Sequence, residues 1–169
     1  MLTRFGSRLA LLLVIVATIG CDRVTKHVAT ETFSGRPTQS YLADTVRLGY
    51  TENTGAFLSV GANLPPAART ALFTIGTGLV LLAFAIGVFR FRLSPWRGVG
   101  LALFVAGGIS NWIDRATAGR VVDFLNIGVG WLRTGVFNVA DVAIMLGAAI
   151  FVLAELRRNP SKSAPTLPT

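Results

Sequence analysis

The 169-residue sequence has few of the side chains that bind metals or form nucleophile and base pairs. It contains one cysteine and one histidine. A single cysteine cannot form an internal disulfide, and one Cys with one His falls short of a four-ligand zinc site. The composition therefore argues against a disulfide-stabilised fold, zinc binding and Cys/His catalysis, and we expect no metal and no cofactor.

Charged residues are also scarce. They make up 14% of the chain, against about 25% in soluble domains, while hydrophobic residues make up 52%. Residues 71–89 contain no charge, and nineteen helical residues at about 1.5 Å each are close to the roughly 30 Å thickness of a hydrocarbon layer. This run predicts a transmembrane helix.

Three weaker apolar runs each include or lead into a polar residue. Such a run can span a membrane if its polar end is buried in protein or wetted. The sequence therefore predicts a mainly α membrane protein with four transmembrane helices. The expected spans are about 8–29, 68–90, 97–115 and 136–155.

The net charge of +8 could indicate nucleic-acid binding, but the positions of the basic residues favour a membrane topology. Basic residues precede the first run, separate the second and third, and follow the fourth, and Glu155 is the one acid among them. They are Arg4, Arg8, Arg90, Arg92, Arg97, Arg157, Arg158 and Lys162. By the positive-inside rule both termini are cytoplasmic, and we expect no nucleic-acid partner.

The N-terminus has an alternative interpretation. Arg4 and Arg8, the apolar residues 9–20 and then Cys21 resemble a cleavable signal sequence, even one of a lipoprotein. Against this, Thr18 stands where such a signal usually has Leu, and three more apolar runs follow. We therefore interpret the segment as the first membrane helix.

Two segments are expected outside the membrane. Residues 30–64 are polar and β-prone, and their Gly and Pro residues indicate turns, which predicts a small extracytoplasmic β-containing domain between helices one and two. A second segment, 115–135, contains Asp123. Residues 1–158 are expected to form one membrane-embedded domain, and residues 159–169, with three prolines, a disordered tail.

Three helices are predicted to bring a polar residue to one depth. Asp22, Asn111 and Asp141 each lie fourteen residues from a charge at the cytoplasmic side, or roughly 21 Å along a helix. In a hydrocarbon core of about 30 Å this level is roughly 9 Å below the outer boundary. Intramembrane acids at such a level mark a functional site.

Two carboxylates suit hydrolysis of an amide at this level. One carboxylate accepts a proton from water while its protonated partner polarises the carbonyl. From the residues alone, the partner of Asp141 stays open among Asp123, Asp22 and Asp114. For Asp22 with Lys26, at i and i+4, a local ion pair is the stronger interpretation. A helix-end network that includes Asp114 is an equal alternative for Asn111 and Arg115.

Five sequence blocks resemble those of the lipoprotein signal peptidase (signal peptidase II) family, in the family's order. The blocks are Asp22-Arg-Val-Thr-Lys26, Glu52-Asn-Thr-Gly-Ala56, Gly107-Gly-Ile-Ser-Asn111 with Asp114-Arg115, Val121-Val-Asp123-Phe124, and Phe137-Asn-Val-Ala-Asp141. One block alone would be a weak signal, but together they cover the chain from Asp22 to Ala154.

The resemblance implies an aspartic endopeptidase with Asp123 and Asp141 as its catalytic pair. It implies substrate-binding or dyad-supporting roles for seven further residues, which are Asp22, Lys26, Asn53, Gly107, Asn111, Arg115 and Asn138. The implied substrate is a prolipoprotein whose Cys carries diacylglycerol, cut just before that Cys. The implied location is the bacterial inner membrane, as a multi-pass protein with its site near the outer face, among membrane lipid and without an obligate partner chain.

Two blocks depart from the family pattern beside the expected substrate groove. In the first of these blocks, Phe57 follows Asn-Thr-Gly-Ala where the family usually continues with Ala, and Glu52 precedes the Asn. In the second block, Ser110 stands where the family usually has Gly. These departures leave open a specialised paralogue with an altered groove. A non-enzymatic multispan transporter or assembly factor, using the polar level as a binding site, is the alternative from another class.

Overall fold

Four helices form most of the structure, a computed structural model that describes residues 2–55, 63–91 and 93–157, with side chains from residue 6 onward. The helices are α1 (Leu2–Phe33), α2 (Pro66–Arg90), α3 (Pro95–Ala118) and α4 (Val139–Leu156). This confirms the predicted mainly α architecture. The predicted disordered tail, 159–169, lies outside the described residues.

Two of the helices, α2 and α4, are long and apolar enough to cross a membrane, with mean hydropathies of 2.3 and 2.2. Pro66 occupies the first turn of α2, where its missing N–H is not needed, and a π-helical stretch runs from Thr70 to Gly76. Helices α1 and α3 are long enough but carry charged residues in their C-terminal halves. Four spans therefore stay a prediction at this point.

Helix α3 is central and packs against the other three helices. Ala102 and Ala106 are fully buried and form a cluster with Ile15 of α1. On another side of α3, Leu101 packs with Val88 of α2. Small residues facing α1 let the two helix backbones approach closely, as in membrane helix pairs.

Glycines hold α3 and α4 in backbone contact. A Cβ atom on Gly107 would lie 2.3 Å from the carbonyl oxygen of Ala140, and one on Gly147 would lie 2.4 Å from the backbone nitrogen of Phe104. No side chain fits at such distances. The pairing of these helices therefore depends on the missing side chains.

The strands of the described residues form a four-stranded antiparallel sheet in the order β1-β2-β3-β4. Strands β1 (Gln39–Tyr41) and β2 (Val46–Asn53) come from the segment between α1 and α2, as predicted. Strands β3 (Val121–Val129) and β4 (Leu132–Arg133) come from the segment after α3. The predicted segment therefore supplies two of the four strands. A two-stranded ribbon is only marginally stable alone, and β3 supplies the pairing partners that β2 needs.

A register shift between Leu48 and Thr51 interrupts the pairing of β2 with β3. Leu48 pairs with Leu125, but Asn53, five residues later, pairs with Val121. Because side chains alternate between faces, a regular strand would put positions 48 and 53 on opposite faces, whereas the extra residue returns both to the same face. Asn53 therefore shares a face with Asp123.

We expect Gly107→Ala to destabilise the protein by about 1–3 kcal/mol, the usual cost of overpacking, because the new methyl group collides with the backbone at Ala140. Gly20→Ala is the matched control, since a Cβ there meets nothing within 4 Å. Thermal unfolding of the purified variants in detergent measures the difference. Equal midpoint temperatures would contradict the tight helix crossing.

Candidate active site

Asp123 lies on β3 with its side chain turned inward, and the residue is 2% exposed. Its two carboxylate oxygens accept hydrogen bonds from two amide groups. Asn53 Nδ2 donates to Oδ2 at 2.9 Å, and Asn138 Nδ2 donates to Oδ1 at 2.6 Å. The carboxyl group is thus oriented by neutral donors from β2 and from the start of α4.

Asp141 stands in the first turn of α4, and Asn138 is the N-cap residue of that helix. The Asn138 side chain accepts a bond from the Asp141 backbone N–H at 2.9 Å, and Asp141 Oδ2 accepts from the Asn138 backbone N–H at 3.2 Å. This reciprocal pair is a capping box. A carboxylate in the first turn is also favoured by the helix dipole, so the Asn-x-x-Asp pattern forms the helix start as well as the site.

A single backbone bridge joins β3 to the start of α4. Phe137 and Leu125 exchange both backbone hydrogen bonds, each at 2.9 Å. Because Phe137 is paired to β3, the next residue, Asn138, begins α4 beside Asp123. The bridge therefore brings the strand carboxylate and the helix carboxylate into one network.

Asn111 of α3 links Asp141 to a buried cation. Its Nδ2 donates to Asp141 Oδ1 at 2.9 Å, while its Oδ1 accepts from Lys26 Nζ at 2.8 Å and from Asn138 Nδ2 at 3.2 Å. The lysine, being only a donor, fixes which end of the amide faces Asp141. Lys26 thus orients a group that touches the carboxylate.

Arg115 holds the chain that follows β2. Its Nη2 and Nε both donate to the carbonyl oxygen of Gly55, at 2.7 and 3.2 Å. The Gly55 N–H in turn donates to Asn53 Oδ1 at 3.0 Å. With its oxygen occupied in this way, the Asn53 amide presents its N–H group to Asp123.

The same arrangement therefore occurs three times in the site. In Asn53, Asn111 and Asn138 the amide oxygen accepts from a fixed donor, and the amide N–H points at Asp123 or Asp141. Three neutral donors orient two acids without supplying a positive charge to either. Such an arrangement keeps both carboxyl groups in place for proton transfer.

The other two acids at this level contact cations directly. Lys26 Nζ lies 2.7 Å from a carboxylate oxygen of Asp22 and 2.7 Å from one of Asp114, and Arg23 also contacts Asp114. Asp22 is fully buried and accepts a 2.7 Å bond from the Ser110 hydroxyl. The predicted local ion pair of Asp22 and Lys26 is thus confirmed, within a larger cluster.

The pKa of Asp123 reflects its burial. Burial raises the pKa of its carboxyl group to about 6, and the nearby charge of Asp141 acts in the same direction, while hydrogen bonds from Asn53 and Asn138 oppose it. A carboxyl group with such a pKa carries or releases a proton near neutral pH. Of the three acids left open as partners of Asp141, Asp123 is contacted by amides, while Asp22 and Asp114 are contacted by Lys26.

The three polar residues that were predicted to share one depth lie in one network of contacts, and their depth in a membrane stays a prediction. Asn111 bonds to Asp141, while Asp22 accepts from Ser110, the neighbour of Asn111, and from the backbone N–H of Ala140 at 2.8 Å. Helices α1, α3 and α4 therefore meet at one level. Gly107 was predicted to support the site. It lies one helical turn before Asn111, where its missing side chain allows α3 to approach α4 closely, and it makes no side-chain contact with the acids.

The departures from the family pattern have different surroundings. Ser110 is fully buried and its hydroxyl donates a hydrogen bond to Asp22. Glu52 is exposed and contacts Tyr50 and Arg120, while Phe57 lies outside the described residues. The role of the Gly55 carbonyl oxygen as the acceptor for Arg115 could not be predicted from the sequence, because every residue has a backbone carbonyl.

Comparison with known proteins gives consistent results. Residues 14–157 match the family profile described as Signal peptidase (SPase) II. The lipoprotein signal peptidase of Nostoc punctiforme is 33% identical over 142 residues, covering 84% of this chain and 86% of the relative, and that of Mycobacterium avium is 35% identical over 156 residues, covering 88% and 80%. A solved structure described as a bacterial membrane enzyme has a TM-score of 0.77 at 24% identity and covers 94% of both chains, which indicates a shared fold.

We expect Lys26→Met to destabilise the protein by about 3–5 kcal/mol, the usual cost of removing one partner of a buried ion pair, because Asp22 and Asp114 then lose a shared cation. Arg47→Met is the control, since the Arg47–Asp44 pair is exposed and such pairs contribute below about 1 kcal/mol. Denaturation midpoints in detergent measure both changes. A similar loss in the two variants would show that the buried cluster adds no special stability.

Proposed function

Because this chain belongs to the signal peptidase II family of aspartic peptidases, we propose that Asp123 and Asp141 are its catalytic pair. The observation that carries this proposal is the amide network, in which Asn138 contacts both residues. The family removes signal peptides from prolipoproteins, so the reaction is hydrolysis of a peptide bond. The two carboxyl groups supply the base and the acid for it.

In the proposed mechanism, the pair carries one proton. The ionised carboxylate accepts a proton from water as the water attacks the scissile carbonyl carbon, and the protonated carboxyl donates a hydrogen bond to the carbonyl oxygen. Collapse of the tetrahedral intermediate returns a proton to the leaving amine. The raised pKa of Asp123 suits it to hold the shared proton in the resting enzyme.

The supporting residues have separate roles in this proposal. Asn53 and Asn138 orient Asp123, while Asn111 orients Asp141. Because these donors are neutral, they fix the carboxyl groups without the strong preference for the ionised form that a contacting cation would impose. Lys26 acts through Asn111 as a positioning residue.

The proposed substrate is a prolipoprotein with diacylglycerol on its Cys, cleaved just before that residue. The depth of the site supports this assignment, because the bond next to a lipid-anchored Cys lies close to the membrane surface. A level of roughly 9 Å below the outer boundary meets that requirement. In this proposal the sheet that carries Asp123 and Asn53 lies on the extracytoplasmic side of the helices.

We also propose four membrane spans, cytoplasmic termini and a location in the bacterial inner membrane. Support comes from the surface of α1, where Leu13 and Val16 are each 60% exposed while Asp22 and Lys26 are buried. Apolar residues outside and charged residues inside are what a lipid environment requires. The outer ends of the helices then carry the site.

A multispan transporter or assembly factor was the alternative from another class. Membership in an aspartic peptidase family favours the enzyme. The alternative of a specialised paralogue rests on the substrate side, where Glu52 places a negative charge near the end of β2. Ser110 gives it no support, since its hydroxyl bonds inward to Asp22.

Asp123→Asn and Asp141→Asn are each expected to lower turnover of a diacylglyceryl-modified precursor by at least about 100-fold, because general acid and base catalysis contributes about 10²–10⁴. The asparagine side chain keeps the size but cannot exchange a proton. Cleavage is followed by the mobility of the precursor on gels. Asp44→Asn, in an exposed turn of the outer sheet, is the control and is expected to keep normal turnover.

The assignment of the pair is wrong if either variant of Asp123 or Asp141 retains full turnover while remaining folded. Loss in both variants with a normal Asp44→Asn enzyme supports it. Binding of the uncleaved precursor by the inactive variants would show that the loss is in the chemical step.

The pH profile gives a further prediction. As pH rises through about 6, Asp123 loses its proton and the pair carries two negative charges, so kcat/KM falls on the alkaline side; at low pH both groups are protonated and no base is left. Asn53→Ala removes a hydrogen bond that lowers the pKa of Asp123. In this variant the fall of kcat/KM on the alkaline side is therefore expected at a higher pH than in the wild type. A flat pH profile of kcat/KM in the wild type would contradict the role of Asp123, as would an alkaline fall at the same pH in Asn53→Ala and the wild type.

A further inference from the structure

A cavity of about 160 Å³ lies between the first turns of α2, the end of α3 and the residue that follows β2. Arg69 and Arg115 both line it, together with the hydroxyl-bearing residues Thr54, Thr70 and Thr74. The cavity is smaller than the roughly 300 Å³ at which pockets for drug-sized molecules begin. It suits one small polar group.

The charge of this cavity is positive. Among the residues that the structure describes, no acid lines it. The Arg115 guanidinium donates its hydrogen bonds to the neutral carbonyl oxygens of Gly55 and Asn111, while the charges of Asp114, Asp123 and Asp141 act on it through space. An anion would complement the site.

Arg69 provides a donor that has no partner. Within the described part of the chain, its Nε is the one buried side-chain nitrogen or oxygen without a hydrogen-bond partner. Burying such a group unpaired costs free energy, so each case in a native structure calls for an explanation. A ligand oxygen in the cavity would supply the missing acceptor.

The depth of Arg69 favours a membrane lipid as the source of that oxygen. Arg69 and Arg90 flank the apolar part of α2 and are 21 residues apart, or roughly 30 Å along the helix. This matches the thickness of the hydrocarbon core. If Arg90 is at the cytoplasmic boundary, Arg69 is at the level of the outer headgroups.

We propose that this cavity binds the phosphate group of an anionic phospholipid from the outer leaflet. The planar guanidinium group matches phosphate oxygens with paired hydrogen bonds, and basic pockets beside membrane helices bind lipid headgroups. The bound phosphate would bridge Arg69 of α2 to Arg115 of α3. Because Arg115 holds the Gly55 carbonyl, the lipid would also brace the chain next to Asn53.

The test uses the full chain, purified in a phosphate-free detergent and titrated with phosphatidylglycerol, phosphatidylcholine or inorganic phosphate. The rise in midpoint unfolding temperature reports binding. Phosphatidylglycerol is expected to bind more tightly than the other two probes. Arg69→Gln is expected to weaken its binding by at least about tenfold, while Arg90→Gln, an equal charge change at the exposed other end of α2, is expected to have no effect.

Arg69→Lys distinguishes a phosphate site from general attraction, because lysine keeps the charge but loses the paired geometry; an affinity between those of the wild type and Arg69→Gln supports the proposal. Equal weakening by Arg69→Gln and Arg90→Gln would overturn it, as would inorganic phosphate matching phosphatidylglycerol. The lipid assignment also fails if Arg69→Gln leaves lipid binding unchanged but raises KM for precursors with acidic residues at the cleavage site. That outcome would make the cavity a substrate subsite.

Discussion

The arrangement of the site depends on the side chain of Asn138. Its oxygen caps the first turn of α4 at Asp141, and its amide N–H donates to Asp123 on β3. One planar group thus fixes the position of a helix carboxylate relative to a strand carboxylate. The Phe137–Leu125 bridge holds the strand beside the helix start, so the cap and the site are formed together.

The acids around that side chain fall into two groups, those that contact a cation and those that contact amides. Lys26 bridges Asp22 and Asp114 and supplies a contacting cation to the fully buried Asp22. Asp123 is contacted by amides instead, and burial then raises its pKa. Had Lys26 contacted Asp123, the attraction would have favoured the ionised form, and a shared proton near neutral pH would have been lost.

Regular helix geometry explains why much of the site could be predicted from the sequence. A fixed rise per residue means that equal spacings from a boundary give equal depths, so the level of Asp22, Asn111 and Asp141 followed from counting. Spacing within one helix also predicted the ion pair of Asp22 with Lys26. The choice of Asp123 could not be made in this way, because its strand is linked to the helices by turns whose direction the residues do not specify; the family blocks supplied that choice.

The sequence by itself determined the helical class, since this depends on local composition and helical periodicity. It also predicted the polar level from constant helical spacing and, through its motifs, the two aspartates that are proposed as the catalytic pair. The tertiary structure decided which amide faces which carboxylate. The register shift in β2 turns Asn53 toward Asp123, and the contact of Gly107 with Ala140 sets how closely Asn111 approaches Asp141. Such features arise from pairings between distant segments, and no local pattern encodes the register or separation of two elements that meet only in the folded chain.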